Sequence, residues 1–288
     1  KMPLKIDRME IDDVGGDPIK LAAAIIRQLP DLTKPIPVRD IAAAIDIYEI
    51  REEPLSGLEG GLIVADDKSE GAILVHRDRP ETRKRYTIAH EIGHYVNPWH
   101  KSDSPEGFRC RARDMAIESH APNDRVAKME VQANQFAAEL LMPLQEVGKF
   151  FRGKAGADID HIIAMADRFH VSREAAARRY VAHLGEPAAV VFSQNGQIRY
   201  IKTNGDFPRL SVWNGDALPG GSHSVRSSTK IGDVSDWAEI TGHVWLERSR
   251  GFVVCEQTLA QQNGFRMTLL TVEIDEEDEG DWEPRFRE

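Results

Sequence analysis

The chain has 288 residues, of which 41% are hydrophobic and 29% charged, and its formal net charge is −10. This composition is typical of a globular protein, and the length allows one large core with a smaller module or two to three domains. The negative charge argues against tight binding of the whole chain to a phosphate backbone, and no apolar run approaches the roughly 18 residues of a membrane span. Because there are two cysteines and no apolar signal core at the amino terminus, we expect a cytoplasmic protein without a disulfide framework.

The first quarter of the chain alternates between helical and strand patterns. Residues 17–29 and 37–45 are predicted to be helices, each with a proline near its start. Short apolar stretches at 47–50, 61–65 and 72–76 are separated by glycine and charged residues. They predict three strands of a small sheet.

Two longer helices follow, separated by a polar segment. A helical run over 80–96 begins with proline, and the Asn-Pro pair after it should end the helix. Residues 98–122 are polar and aperiodic, which predicts a long loop. Apolar residues at helical spacing predict a second helix over 124–141, and Pro143 begins a shorter one.

The remaining sequence predicts a helical pair and then a β-rich region. Residues 158–184 are typical of two short helices, and after Pro187 strand patterns alternate with Asn-Gly turns. The predicted strands are 188–192, 198–201, 210–213, 243–246, 252–256 and 267–274. The expected fold class is α+β, with a helix-and-sheet domain at 1–152, a helix-turn-helix-like segment at 153–186, a β-rich domain at 187–274 and a solvated acidic tail at 275–288.

The run over 80–96 contains the pattern His-Glu-x-x-His at His90, Glu91 and His94. Residues four apart on a helix lie one turn above each other, so both imidazoles can face one ion. Two neutral imidazoles suit Zn2+, although Mn2+ or Fe2+ also accept such donors. Glu91 is rotated about 100° around the helix from His90, so it is free to act as a base on a metal-activated water and then as an acid toward a leaving amine. The pattern therefore predicts a zinc-dependent peptidase site.

Two residues compete to be the third ligand. His100 completes the spacing HExxHxxGxxH, with Asn97 where that pattern has glycine. Glu130 lies on the second long helix, where small residues on the same face would let the two helices pack closely. Spacing alone slightly favours His100, because its match is local.

The sequence resembles the ImmA/IrrE family of zinc peptidases. The resemblance rests on RYTIAHEIGHY, on EVQANQFAAELLMP and on the strand-rich stretch GGLIVADDKSEGAILVHRD. It covers roughly residues 15–150 and fits the following helical pair, ADRFHVSREAAARRYVAHL, more loosely. It implies a zincin-like peptidase domain. It also implies that Glu130 is the third ligand beside His90 and His94, with Glu91 as the general base, and that His100 is a rim residue or a stray match to the longer pattern.

The same resemblance suggests a residue that supports the metal ligands, and it suggests a substrate. Asn134 would either orient a ligand or serve ordinary helix packing. Members of the family cut helix-turn-helix repressors that control stress response or mobile-element excision, and some act in toxin–antitoxin-like modules. By resemblance, the partner of this chain would be a DNA-binding repressor that it cuts at one site.

The segment after the predicted peptidase domain does not have the charge of a DNA-binding element. Five basic and five acidic residues lie between Lys154 and Glu186, so their charges cancel. A recognition helix needs basic side chains, so we expect a helical hairpin and no direct DNA binding.

Cys110 suggests a separate hypothesis. On the predicted loop its thiolate would occupy the open metal position and keep an enzyme latent, and Arg109 and Arg111 would lower the thiol pKa. The alternative is an ordinary exposed thiol.

Three functions are consistent with these patterns. The first is a site-specific metalloendopeptidase acting on a transcriptional repressor. The second is a non-enzymatic DNA-binding regulator with a structural zinc, which would need four protein ligands. The third is a proteolytic toxin restrained by an antitoxin.

Overall fold

The computed structural model describes residues 3–105, 107–249 and 251–274, so the expected acidic tail at 275–288 lies outside the described residues. The chain combines helices with two separate sheets, which confirms the α+β class. It forms two compact units. The first consists of residues up to Arg152 together with Asp167–Ser172, and the second of Gly153–Ala166 and the described residues from Arg173 onward.

Three helices begin the first unit: α1 (Arg8–Asp12), α2 (Pro18–Ile26) and α3 (Val38–Ala44). The latter two confirm the prediction. Helix α2 begins where Asp17 accepts hydrogen bonds from two backbone N–H groups and proline occupies the first turn. The five-residue α1 was missed, because it is shorter than two helical turns and carries no periodic pattern.

A four-stranded sheet follows, in the order β1-β3-β2-β4. Strands β1 (Ile47–Glu53), β2 (Gly60–Val64) and β3 (Gly71–His76) were predicted, whereas β4 (Phe108–Cys110) was not. The prediction of an uninterrupted loop over 98–122 is therefore wrong, since it contains β4 and a 3-10 turn. Strand β3 is parallel to β1, and β2 is antiparallel to both β3 and β4.

The long helices α4 (Glu81–Val96) and α5 (Arg125–Leu141) have nearly the predicted bounds, and α6 (Leu144–Phe151) follows them. Helices α4 and α5 pack closely at Gly93. A Cβ atom at that position would lie 3.0 Å from Cδ1 of Phe136 on α5. This glycine lets the two helices approach each other, and both carry candidate site residues on the facing sides.

The helices α7 (Ile159–Phe169) and α8 (Arg173–His183) are joined at His170, whose φ is 52°. The second sheet has the order β6-β5-β9-β8-β7 and is antiparallel throughout. Its strands are β5 (Ala188–Gln194), β6 (Gln197–Thr203), β7 (Ala238–Thr241), β8 (Phe252–Ala260) and β9 (Phe265–Ile274), with the short helix α9 (His223–Arg226) before β7.

Two strand predictions in this unit are wrong. Residues 210–213 and 243–246 share a single bridge between Leu210 and Leu246, and Gly242–Val244 forms a 3-10 turn. Leu210, Trp245 and Leu246 belong to the buried core of the second unit, and Val212 and Val244 pack against it, whereas Trp213 is exposed. The apolar pattern therefore indicates buried residues and not paired strands. Strand β7 is too short and too polar to have been predicted.

Candidate metal centre

The two histidines of the motif lie one turn apart on α4 and are fully buried. Their Nε2 atoms are 3.1 Å apart. Burial lowers the pKa of His94 to about 4, so its imidazole is neutral at pH 7. The neutral form has the free ring nitrogen that a metal ligand requires.

Helix α5 brings Glu130 to the same point. Its Oε2 lies 3.1 Å from Nε2 of His90 and 3.6 Å from Nε2 of His94. Burial alone would raise the pKa of Glu130, but its interactions with His90 and His94 outweigh burial, and the pKa is held well below its usual range. Ligand atoms about 2.1 Å from a tetrahedral zinc lie about 3.4 Å from each other. The three observed separations match that edge length.

Cys110 is the fourth residue at this point. One ligand atom from each of His90, His94, Glu130 and Cys110 lies within 4.8 Å of all the others. The expectation that Arg109 and Arg111 would lower the pKa of an exposed Cys110 thiol is wrong. The side chain is fully buried in β4, and burial, followed by the charge of Glu91, raises the pKa well above its ordinary range.

Glu91 is fully buried beside this cluster, and neither of its carboxylate oxygens has a hydrogen-bond partner among the residues that the structure describes. Burial raises the pKa of Glu91 to about 7. Buried carboxylates are normally satisfied, because an unpaired one loses its hydration without compensation. The unpartnered oxygens therefore indicate that a polar or charged group would complete the site, which fits a metal ion held by the neighbouring cluster.

Asn134 determines which nitrogen of His90 is available. Its side-chain N–H group donates to the backbone oxygens of Asp114 and Ile117, both at 3.0 Å. Its Oδ1 must then be the acceptor facing Nδ1 of His90 at 2.9 Å, and it also accepts from the Tyr86 hydroxyl. The proton of His90 consequently lies on Nδ1, and the lone pair of Nε2 faces the cluster.

A second relay orients His94. Its Nδ1 lies 3.0 Å from Nδ1 of His100, whose Nε2 lies 3.0 Å from Oε1 of Gln132. With Gln132 accepting, His100 carries its proton on Nε2 and accepts from Nδ1–H of His94, which leaves Nε2 of His94 free. His100 therefore stands outside the four-residue cluster, and its expected rim position is wrong, because it is buried.

Lys68 was not singled out from the sequence. Its ammonium group donates to the backbone oxygens of His94 and Asn97, each at 2.7 Å. Both carbonyls lie at the C-terminal end of α4, where helical backbone oxygens need partners outside the helix, and that of Asn97 also accepts from the backbone N–H of His100 at 3.2 Å. Burial lowers the pKa of Lys68 to about 8. No pattern marks this lysine or Gln132, because each reaches the site only through the packing of separate elements.

The comparison with protein families places this site in a known group. Residues 48–180 match the model of a peptidase family described as the IrrE N-terminal-like domain. This segment therefore forms a domain of the ImmA/IrrE family, as the resemblance implied. The match begins later than the expected residue 15, and it includes α7 and most of α8, the helical pair for which a looser fit was expected.

A comparison with curated proteins finds no match to the chain. Among the described residues, no helix has both the length and the apolar character needed to cross a membrane.

Proposed function

We propose that the chain is a zinc-dependent endopeptidase with His90, His94 and Glu130 as the metal ligands and Glu91 as the general acid–base. The observation that carries the proposal is the convergence of these three donors beside a buried carboxylate without partners. Membership of a peptidase family supports the same conclusion. Two imidazoles and one carboxylate form a common donor set of catalytic zinc, and Mn2+ or Fe2+ would also be accepted.

A bound zinc ion would supply Lewis-acid chemistry, polarising a peptide carbonyl and acidifying a water molecule. The chain's own residues account for the proton transfers. Glu91 removes a proton from the attacking water, and the new C–O bond displaces the amide nitrogen. Glu91 then returns the proton to the leaving amine, which completes hydrolysis.

Replacing Glu91 tests this role. We expect Glu91→Gln to bind zinc as the wild type does and to lose roughly 10²–10⁴-fold in cleavage rate, the usual contribution of general acid–base catalysis. Cleavage is followed on a gel and zinc by metal analysis. Glu70→Gln, a change at an exposed residue, is the matched control. If Glu91→Gln cleaves at the wild-type rate, Glu91 is not the general acid–base.

The proposed substrate is a partner DNA-binding repressor of the helix-turn-helix type, as the sequence resemblance to the ImmA/IrrE family implies. Incubation with the regulator encoded beside this chain should yield two fragments. A chelator should prevent the cut, and Glu91→Gln should leave the regulator intact. If a bound antitoxin restrains the chain as a toxin, a growth assay with and without the neighbouring gene product will separate that case.

The second candidate is a non-enzymatic regulator with a structural zinc, and Cys110 is the observation that favours it. Structural zinc sites use four protein ligands, and four candidate donors lie together here. The balanced charge between Lys154 and Glu186 argues against its DNA-binding part. A salt-dependent shift of operator DNA by the purified chain would favour this candidate over the peptidase.

A further inference from the structure

Strand β4 forms the outer edge of the first sheet beside the candidate metal centre. Its three residues pair with β2, Cys110 opposite Gly60 and Phe108 opposite Leu62. The backbone N–H of Glu59 also donates to the oxygen of Cys110 at 2.9 Å. The strand is therefore anchored over its whole length to the strand that would otherwise be the edge.

Both inward side chains of β4 belong to the metal centre. Side chains alternate along a strand, so Phe108 and Cys110 face one side and Arg109 the other. Phe108 stacks on the ring of His94 with centroids 4.5 Å apart. Cys110 contributes the sulfur of the four-donor cluster. The strand thus covers one ligand and brings a donor of its own.

A tight turn at Gly107 precedes β4 and directs the chain to the edge of β2. Gly107 has a φ of 82°, a conformation that side chains disfavour, and a Cβ atom there would collide with the backbone oxygen of Leu62 on β2. The glycine immediately before β4 therefore lets the segment turn into the sheet edge and press against β2.

We propose that Cys110 is a fourth protein ligand of the metal and that the described conformation is a closed, latent form of the enzyme. This inference rests on the proposed function. Two imidazoles, one carboxylate and one thiolate complete a tetrahedral zinc shell and leave no position for solvent or substrate. Burial raises the pKa of the Cys110 thiol, but a bound cation would outweigh that effect and leave the sulfur as a thiolate.

The same strand would also block substrate binding. Extended peptides bind proteases and other partners by adding a strand to a free sheet edge, and β4 occupies that edge of β2. Release of β4 from β2 would free the fourth metal position and the backbone groups of β2 together. A single movement of a three-residue strand therefore separates the latent form from the active one.

Cobalt substitution tests the ligand directly. In Cys255→Ala, Cys110 is the one remaining thiol of the chain's two cysteines, so thiolate-to-cobalt charge-transfer absorption must come from Cys110. We expect that near-ultraviolet absorption in the wild type and in Cys255→Ala, and its loss in Cys110→Ser. If Cys255→Ala binds cobalt stoichiometrically without this absorption, Cys110 is not a metal ligand, and the proposed peptidase site is unaffected. Failure of cobalt to bind would overturn the proposed metal site itself.

Metal release and activity test the latency. Loss of an outer partner of a ligand costs roughly 10–100-fold in metal affinity, so loss of a direct ligand should speed chelator-driven release at least about tenfold in Cys110→Ser relative to Cys255→Ser. Cys110→Ala should cut the partner repressor proposed as the substrate faster than Cys255→Ala. If Cys110→Ser and Cys255→Ser release the metal at equal rates, Cys110 is not a ligand. If Cys110→Ala and Cys255→Ala cleave at equal rates, the described conformation is not latent. If neither variant cleaves while the cobalt absorption is present, the proposed peptidase activity fails and the ligand stands.

Discussion

At the scale of single residues, the candidate centre depends on proton positions outside the ligand set. Asn134 and Gln132 act as fixed acceptors at the far ends of two hydrogen-bonded chains, one directly and one through His100. Each chain leaves the lone pair of an Nε2 atom facing the cluster. The histidines are therefore prepared for a metal before it arrives, which avoids part of the ordering cost of binding.

Asn134→Ala should show how much this preparation contributes. The substitution removes the acceptor that holds the His90 proton on Nδ1, and we expect zinc affinity to fall roughly 10–100-fold. Affinity is measured by competition with a chromophoric chelator. Gln135→Ala, on the same helix but exposed, is the control. Equal affinities for the two variants would mean that Asn134 serves packing alone.

At the scale of elements, the ion pairs of Glu52 join three of them. Its carboxylate on β1 accepts from Lys84 on α4 at 2.7 Å and from Arg39 on α3 at 2.6 Å. The hydrogen bond from Lys84 is the main reason that the pKa of Glu52 lies below its ordinary value of 4.5. This network holds the first turn of α4 against the sheet. Helix α4 is the one that carries His90 and His94.

Glu52→Gln should therefore lower the free energy of unfolding of the first unit by roughly 0.5–1 kcal/mol at neutral pH, a small value because the pair is partly exposed. A lowered pKa means that the contribution is present above pH 4.5 and is lost as the pH falls through the folded-state pKa. Chemical unfolding at neutral and acidic pH measures the difference. A deficit that persists in acid would show that Glu52 does not stabilise through its charge.

The packing of elements also explains why β4 escaped prediction. Three residues with one charged side chain carry no alternation long enough to identify a strand. Their position depends on the free edge of β2, which is defined only when β2 and β3 have paired. The loop prediction over 98–122 failed for this reason, and the error in the Cys110 pKa followed from it.

At the scale of the whole molecule, the chain has two compact units, and the candidate metal centre lies entirely in the first. A metal bound by α4 and α5 stabilises the folded form of the unit that contains those helices, because the unfolded chain binds it less well. The second unit has its own core around Trp245 and its own sheet.

Metal removal should therefore affect the two units differently. Calorimetry of the full chain should show one transition that moves to lower temperature when zinc is chelated and another that stays in place. For a metal at 100 times its dissociation constant, the shift corresponds to about 2.7 kcal/mol of lost stability. A control titration with Glu130→Ala should show no dependence on chelator. Transitions that move together would mean that the second unit also depends on the metal.

The helices that carry the site could be predicted from local sequence, because long amphipathic runs with proline boundaries depend on interactions between neighbouring residues. The sequence also determined the spacing of His90 and His94, since helical geometry makes residues four apart neighbours. Residue spacing left Glu130 and His100 as competing third ligands, and family resemblance favoured Glu130. Only the tertiary structure brought Glu130 and Cys110 to the histidines and turned His100 to the opposite nitrogen of His94. Distances between residues far apart in the chain depend on how helices and strands pack, and no local pattern records that packing.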